Sequence, residues 1–145
     1  MKIKTKVIAS DYNEETGLSS VTIATDIGIF EGVSKLNPED AEIASRFAGC
    51  RYAEMRANIK YLKEKTKIAD YKLQYVKKIF NNLKNIKTFK NKKVIKMLEK
   101  EIYLLEDEKI TFQQGAKSLK ENLNKAIDSR PDLIKKLKEK RKDNE

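Results

Sequence analysis

Residues 52–83, YAEMRANIKYLKEKTKIADYKLQYVKKIFNNL, place Tyr52, Met55, Ile59, Leu62, Thr66, Ala69, Leu73, Val76, Phe80 and Leu83 at intervals of alternating threes and fours. That is the 3.5-residue period of a coiled-coil seam, not the two-residue period of a strand. Extended backwards, the seam reaches Ala48, Ser45 and Ala41, small residues expected to permit close approach to a second layer. Asn37 is a good N-cap, Pro38 suits a first helical position, and Glu39 and Asp40 place carboxylates on the positive end of the helix dipole. A helix from Pro38 to about Lys87 would be roughly 75 Å long at ~1.5 Å per residue.

The apolar pattern breaks over residues 87–93, where Asn91 is a candidate N-cap. It resumes at Ile95, Leu98, Ile102, Leu105, Lys109, Phe112, Ala116, Leu119, Leu123 and Ala126, with Lys109 the one misfit. Two long seams joined by a short break predict an antiparallel helical hairpin. Gly115 costs about 1 kcal/mol relative to alanine inside a helix, and close packing is the expected reason for it. Ser129-Arg130-Pro131-Asp132 is expected to end the second helix, leaving a short, highly charged, frayed helix as the tail from 132 to 145.

Upstream, residues 2–9 alternate polar and apolar, Asp11 to Gly17 reads as a polar turn, and Leu18 to Thr25 is rich in β-branched residues. Asp26-Ile27-Gly28 supplies a second turn and Ile29 to Val33 a third strand. The expectation is an α+β fold: a three-stranded antiparallel β-meander over 1–36, a helical hairpin over 37–130 and a tail over 131–145, in one structural domain. So small a sheet needs a helix or a second subunit on one face. A further apolar set (Phe47, Tyr61, Ile68, Tyr75, Ile79, Ile86, and Val94, Met97, Leu104, Ile110, Ile127) lies off the two seams. A lone hairpin has no use for it, which points to a homodimer or higher homo-oligomer, with Tyr61 and Tyr75 as oligomer contacts.

Composition narrows the chemistry. The 145 residues include no histidine, which removes the commonest general base and most zinc sites. The single Cys50 has no partner for a disulfide and no imidazole to activate it, so a reducing compartment is expected. The five glycines make neither a phosphate loop nor a dinucleotide fingerprint. No enzyme activity, cofactor or metal site is expected. The N-terminal residues contain no apolar run for a signal segment or membrane span, so a cytoplasmic protein is expected. The formal charge of +10 is uneven: residues 1–58 hold seven basic and nine acidic groups, a net −2, and the rest carries +12. A basic helical portion admits a polyanion partner. A lysine-rich compositional bias, with Asn and Ile abundant and Gly, Pro and Arg scarce, accounts for the lysines without one.

The arginines are more informative. Only five stand against 27 lysines, yet Arg46, Arg51 and Arg56 fall within eleven residues. Arg51 and Arg56 flank the seam and Arg46 lies on an outer face. A guanidinium fork suits phosphate or carboxylate, and the functional reading is a grip on a phosphorylated ligand where helix, sheet and a partner subunit meet. Pairing with Glu39, Glu42, Glu54 or a partner chain is the structural alternative. Phe89, in the expected turn beside Asn91, could stack on a base or sugar, or close the end of a bundle.

A meander ending in Phe30-Glu31-Gly32 leads to Leu36-Asn37-Pro38-Glu39-Asp40, then Phe47-Ala48-Gly49-Cys50-Arg51-Tyr52-Ala53-Glu54 and a lysine-rich helical hairpin. This organisation resembles the small phage proteins of the first-described Thoeris anti-defence family. The resemblance implies a non-catalytic oligomeric sponge, acting in the host cytoplasm, for cyclic ADP-ribose isomers made by bacterial TIR-domain enzymes. It also implies that cyclic oligonucleotides could be held at separate sites. Such a ligand would offer a pyrophosphate to arginine and an adenine to an aromatic, making Arg46, Arg51, Arg56, Phe89 and Asn91 the candidate binding residues. Two other readings stay open: a basic coiled-coil nucleic-acid-binding protein, whose affinity would fall steeply with salt, and a protein-binding adaptor.

Overall fold

The computed structural model describes residues 5–35, 46–86 and 88–143, without the side chains at 46, 130–134, 136–138 and 140–143. The fold is α+β, as expected. Strands β1 (Thr5–Asn13), β2 (Leu18–Thr25) and β3 (Gly28–Lys35) form an antiparallel sheet in the order β1-β2-β3, followed by α1 (Arg46–Lys84) and α2 (Lys92–Asp143). Strand β1 runs further than its alternation suggested, because Asp11, Tyr12 and Asn13 pair with Ser20, Ser19 and Leu18. A register shift between Val7 and Ala9 interrupts that ladder. The first hairpin closes through Asn13, whose Oδ1 accepts from the Glu15 and Thr16 amides at 2.9 and 3.2 Å. Gly17, which ends the turn, takes a positive φ, 71°, and donates to the Asn13 carbonyl at 2.8 Å.

The chain divides into two compact units, one of Met1–Tyr61 with Ala116–Glu145 and one of Leu62–Gly115, so the division falls within the helices and not at the sheet boundary. In the first unit, Ser19, Val21 and Ile23 of β2 and Gly32 and Ser34 of β3 form the buried face of the sheet, against α1. The approach is closest at Gly32: a Cβ there would lie 1.8 Å from the Ala53 carbonyl oxygen and 2.5 Å from the Ala57 nitrogen. The small residues that admit the sheet are therefore Ala53 and Ala57, one turn apart, and not the seam residue Ala48. Ala48 instead packs against Tyr52, Ile59 and Leu123, together with Met55, Leu119 and Ala126, in a helix–helix core. Ser45 and Ala41 lie outside the described residues. The outer edge of β3 is occupied too. Arg56 Nη1 donates to the Val33 carbonyl at 3.0 Å and Lys60 Nζ to the Glu31 carbonyl at 2.7 Å. Cations on its acceptors keep this edge strand from templating another chain.

In the second unit the two seams meet as read from the sequence, with Leu62, Ala69, Leu73, Leu105 and Phe112 buried. The pairing is antiparallel: Lys65 sits over the Phe112 ring, Asp70 meets Lys109 and Lys77 meets Glu106. The misfit Lys109 is resolved by Asp70, whose Oδ1 accepts from Lys109 Nζ at 2.8 Å. That bond, with a longer one from Gln74 at 3.5 Å, holds the Asp70 carboxyl below the usual carboxylate range. At Gly115 an added methyl would meet only Leu62 Cδ1 at 3.4 Å, an ordinary contact, so packing does not demand the glycine as expected. Asn91 caps α2, its Oδ1 accepting from the Val94 amide at 3.3 Å.

One helix boundary differs from the sequence reading. Helix α2 does not stop at Pro131 but continues to Asp143, so the tail expected as a separate short helix is continuous with α2. One proline removes a single backbone hydrogen bond, while the leucines, lysines and Glu139 beyond it are good helix formers that carry the spiral on. The expected cap and start at Asn37 and Pro38 lie outside the described residues. Among the described residues no helix is long and apolar enough to cross a membrane.

Candidate functional site

Phe47, Cys50, Arg51 and Glu54 follow one another at i, i+3, i+4 and i+7 along α1, so they share one strip of the helix. Opposite them lie Val7, Ser10 and Val21 of the sheet, and between the two walls is an open cavity of about 680 Å³. Strand β1 explains the opening. Ser10 pairs with Val21, yet Val21 is buried while Val7 and Ser10 remain exposed, so the helix covers β2 and leaves the inner side of β1 uncovered.

Among the described residues the groove is largely apolar, with Arg51 its one cation. Phe47 is 75% exposed. Arg51 is exposed and, among the described residues, has no hydrogen-bond or ion-pair partner. Glu54 stands one turn beyond it with a carboxylate that can accept from hydroxyl or amino groups. Cys50 is a half-buried free thiol. Among the described residues no group of three or more Cys, Asp or Glu could hold a metal ion. An arrangement of this kind can receive an anionic group on Arg51 and a flat or apolar group against Phe47.

The other candidate residues go elsewhere. Arg56 donates to the Val33 carbonyl at the β3 edge. Arg46 begins α1, and its side chain lies outside the description. Phe89 and Asn91 border a second cavity, of about 450 Å³, with Lys90, Lys92, Ile95, Lys96 and Glu99 at the start of α2. Arg51 and the Phe89–Asn91 pair thus line different cavities in different units. Sequence reasoning passed over Phe47, Cys50 and Glu54 as groove residues. The signal was their helical spacing with Arg51, off the seam, and what it lacked was the position of β1.

Tyr61 is not the oligomer contact its off-seam position suggested. It is buried against its own sheet, edge-on to Phe30 at 5.9 Å between ring centroids, and its hydroxyl donates to Asp26 Oδ1 at 2.6 Å. Burial, then the hydrogen bond to Asp26 and its charge, push the phenol from 10.0 up to about 12. A folded value above the unfolded one stabilises the fold below the unfolded pKa, and that contribution is lost as pH rises through the folded pKa. Wild type should therefore exceed Tyr61→Phe by about 1 kcal/mol near neutral pH, and the gap should narrow as pH rises from 10.0 towards 12. Urea titrations of both proteins on either side of that window check it, and an unchanged gap would contradict it.

No protein-family model, curated protein or solved structure matches this chain.

Proposed function

We propose that the protein is a non-catalytic sponge: it binds a cyclic ADP-ribose-type nucleotide and withholds it from TIR-based bacterial immunity, as a phage anti-defence protein acting in the host cytoplasm. The observation that carries this reading is Arg51, with no partner among the described residues, beside the exposed Phe47 in a cavity of about 680 Å³. A cavity of that size falls within the roughly 300–1,000 Å³ usual for small-molecule sites. The guanidinium meets the pyrophosphate through charge-assisted hydrogen bonds. Phe47 takes the adenine face, and Glu54 accepts from ribose hydroxyls or the adenine amino group. The absence of histidine from the sequence fits a protein that retains its ligand unchanged. The organisation of the sequence, which resembles the Thoeris anti-defence proteins, supports the same reading.

Calorimetric titration with cyclic ADP-ribose isomers tests it, with duplex DNA as the control. Saturable binding, with the intact nucleotide recovered after heat denaturation, is the expected result. Arg51→Ala should weaken it by about 10- to 100-fold, the loss of a hydrogen bond to a charged group of about 1.5–3 kcal/mol. Arg56→Ala should instead act on stability, through the β3 edge. Absence of nucleotide binding together with salt-sensitive DNA binding would sink the sponge and favour a polyanion-binding role for the net +12 of residues 59–145.

A further inference from the structure

The stretch from Tyr71 to Leu98 contains nine lysines and no aspartate or glutamate. At the frequency of acids in the whole chain, 22 in 145, a stretch of that length would hold about four. A lysine-rich bias accounts for the cations but not for the missing carboxylates. The charge is densest where the hairpin closes: six of the nine lysines fall between Lys84 and Lys96, across the end of α1, the loop and the first turns of α2. The whole stretch belongs to the second unit.

At that end the charge is unopposed. Lys90, Lys92, Lys93 and Lys96 are exposed and, among the described residues, have no ion-pair partner. Three of them line the cavity of about 450 Å³ with Phe89 and Ile95, where Glu99 is the one carboxylate among the described residues. The start of α2, capped by Asn91, adds the positive end of a helix dipole. Apolar side chains stand among the lysines. Ile86 is 48% and Met97 70% exposed, and Phe89 is half-buried. Met97 lies within ~8 Å of the start of α2 along its axis, at ~1.5 Å per residue.

We propose that this end of the hairpin docks on an anionic phospholipid surface, with the lysines over headgroup phosphates and Ile86, Phe89 and Met97 at the boundary between headgroups and acyl chains. Lysines alone would suit any polyanion. The apolar side chains select among them. A nucleic-acid backbone offers phosphate and water but nothing to bury Ile86 or Met97, whereas a bilayer interface takes cation and hydrocarbon together. Lysine suits that boundary, because its aliphatic stem lies along apolar surface while the ammonium stays at phosphate level. The contact is peripheral, lying on the bilayer and not across it. It concerns the second unit alone and does not depend on what the groove between α1 and β1 binds.

Flotation of the full chain with lipid vesicles tests the proposal, using phosphatidylcholine alone and phosphatidylcholine with about one-quarter phosphatidylserine. Wild type should float with the anionic vesicles and not with the neutral ones, and less so as salt is raised. Lys90→Gln, Lys93→Gln and Lys96→Gln together should lower the partition coefficient about 100-fold, about fivefold for each lysine. Ile86→Ser with Met97→Gln, which leaves the charge unchanged, should lower it about 10-fold. All five positions are exposed, and unchanged helical circular dichroism confirms that the variants fold. Wild type that stays unbound in the presence of anionic vesicles would overturn the proposal, as would binding that the triple glutamine variant retains. Vesicle binding that Ile86→Ser with Met97→Gln leaves unchanged and duplex DNA displaces would also overturn it, in favour of a surface for polyanions in general.

Discussion

Gly32→Ala is expected to destabilise the first unit by at least about 3 kcal/mol, at or above the upper end of ordinary overpacking. The new methyl would sit 1.8 Å from the Ala53 carbonyl oxygen and 2.5 Å from the Ala57 nitrogen. Both are backbone atoms of a regular helix turn, so no side chain can rotate away. Either the sheet lifts off α1 or the helix bends, and in both cases the buried Val21 and Ile23 lose their cover. The hydrogen bonds from Arg56 and Lys60 to β3 lengthen at the same time, because they depend on the same approach. Native-state hydrogen exchange should show the strand amides losing protection first, with the helical amides of 62–115 retained. Gly28→Ala is the informative control. A Cβ there meets nothing within 4 Å, but φ is 143°, so its cost is backbone strain of about 1 kcal/mol with no loss of docking. Equal stability of Gly32→Ala and wild type would refute the close-approach account.

Phe112→Ala is the counterpart in the second unit, expected to cost about 3–5 kcal/mol. The ring is buried in the α2 seam, with the Lys65 ammonium 5.3 Å from its centroid. Removing it empties the bulkiest position of that seam between Leu105 and Ala116, where antiparallel neighbours leave little room to collapse. For a chain of 145 residues the melting temperature should fall by roughly 10 °C. Phe112→Leu keeps most of the volume and should cost about 1 kcal/mol. Lys65→Gln removes only the cation over the ring and should cost about 0.5–1 kcal/mol. Thermal melts followed at 222 nm rank the three, and an alanine variant no worse than the leucine one would contradict the packing argument.

Much of the architecture was legible before any coordinates. The seam of alternating threes and fours between Tyr52 and Leu83 and its repeat between Ile95 and Ala126 contain no exposed residue. Even the one misfit, Lys109, stays at the interface, because Asp70 supplies the charge that makes it tolerable. Turn chemistry was equally readable at Asn13 and Gly17, where local hydrogen bonding and a positive φ act within a few residues. Pro131 misled, since a single local breaker was weighed without the helix formers on both sides of it.

The candidate site was legible only in part, and the division has a physical cause. Residues one helical turn apart are fixed by the chain itself, so the strip of Phe47, Arg51 and Glu54 follows from spacing alone. Which layer faces that strip is set by long-range packing. Gly32 lets α1 sit close over β2 and β3, and the width of one helix then leaves the inner side of β1 open as the far wall of the groove. The same packing turned Tyr61 inward to Asp26 and took Arg56 for the β3 edge, leaving Arg51 open. The sequence by itself determined the elements, their order and the seam, because those rest on periodicity and local capping. Only the tertiary structure decided which polar groups are consumed in holding the fold and which stay unengaged among the described residues, because that depends on distances between residues far apart in the chain.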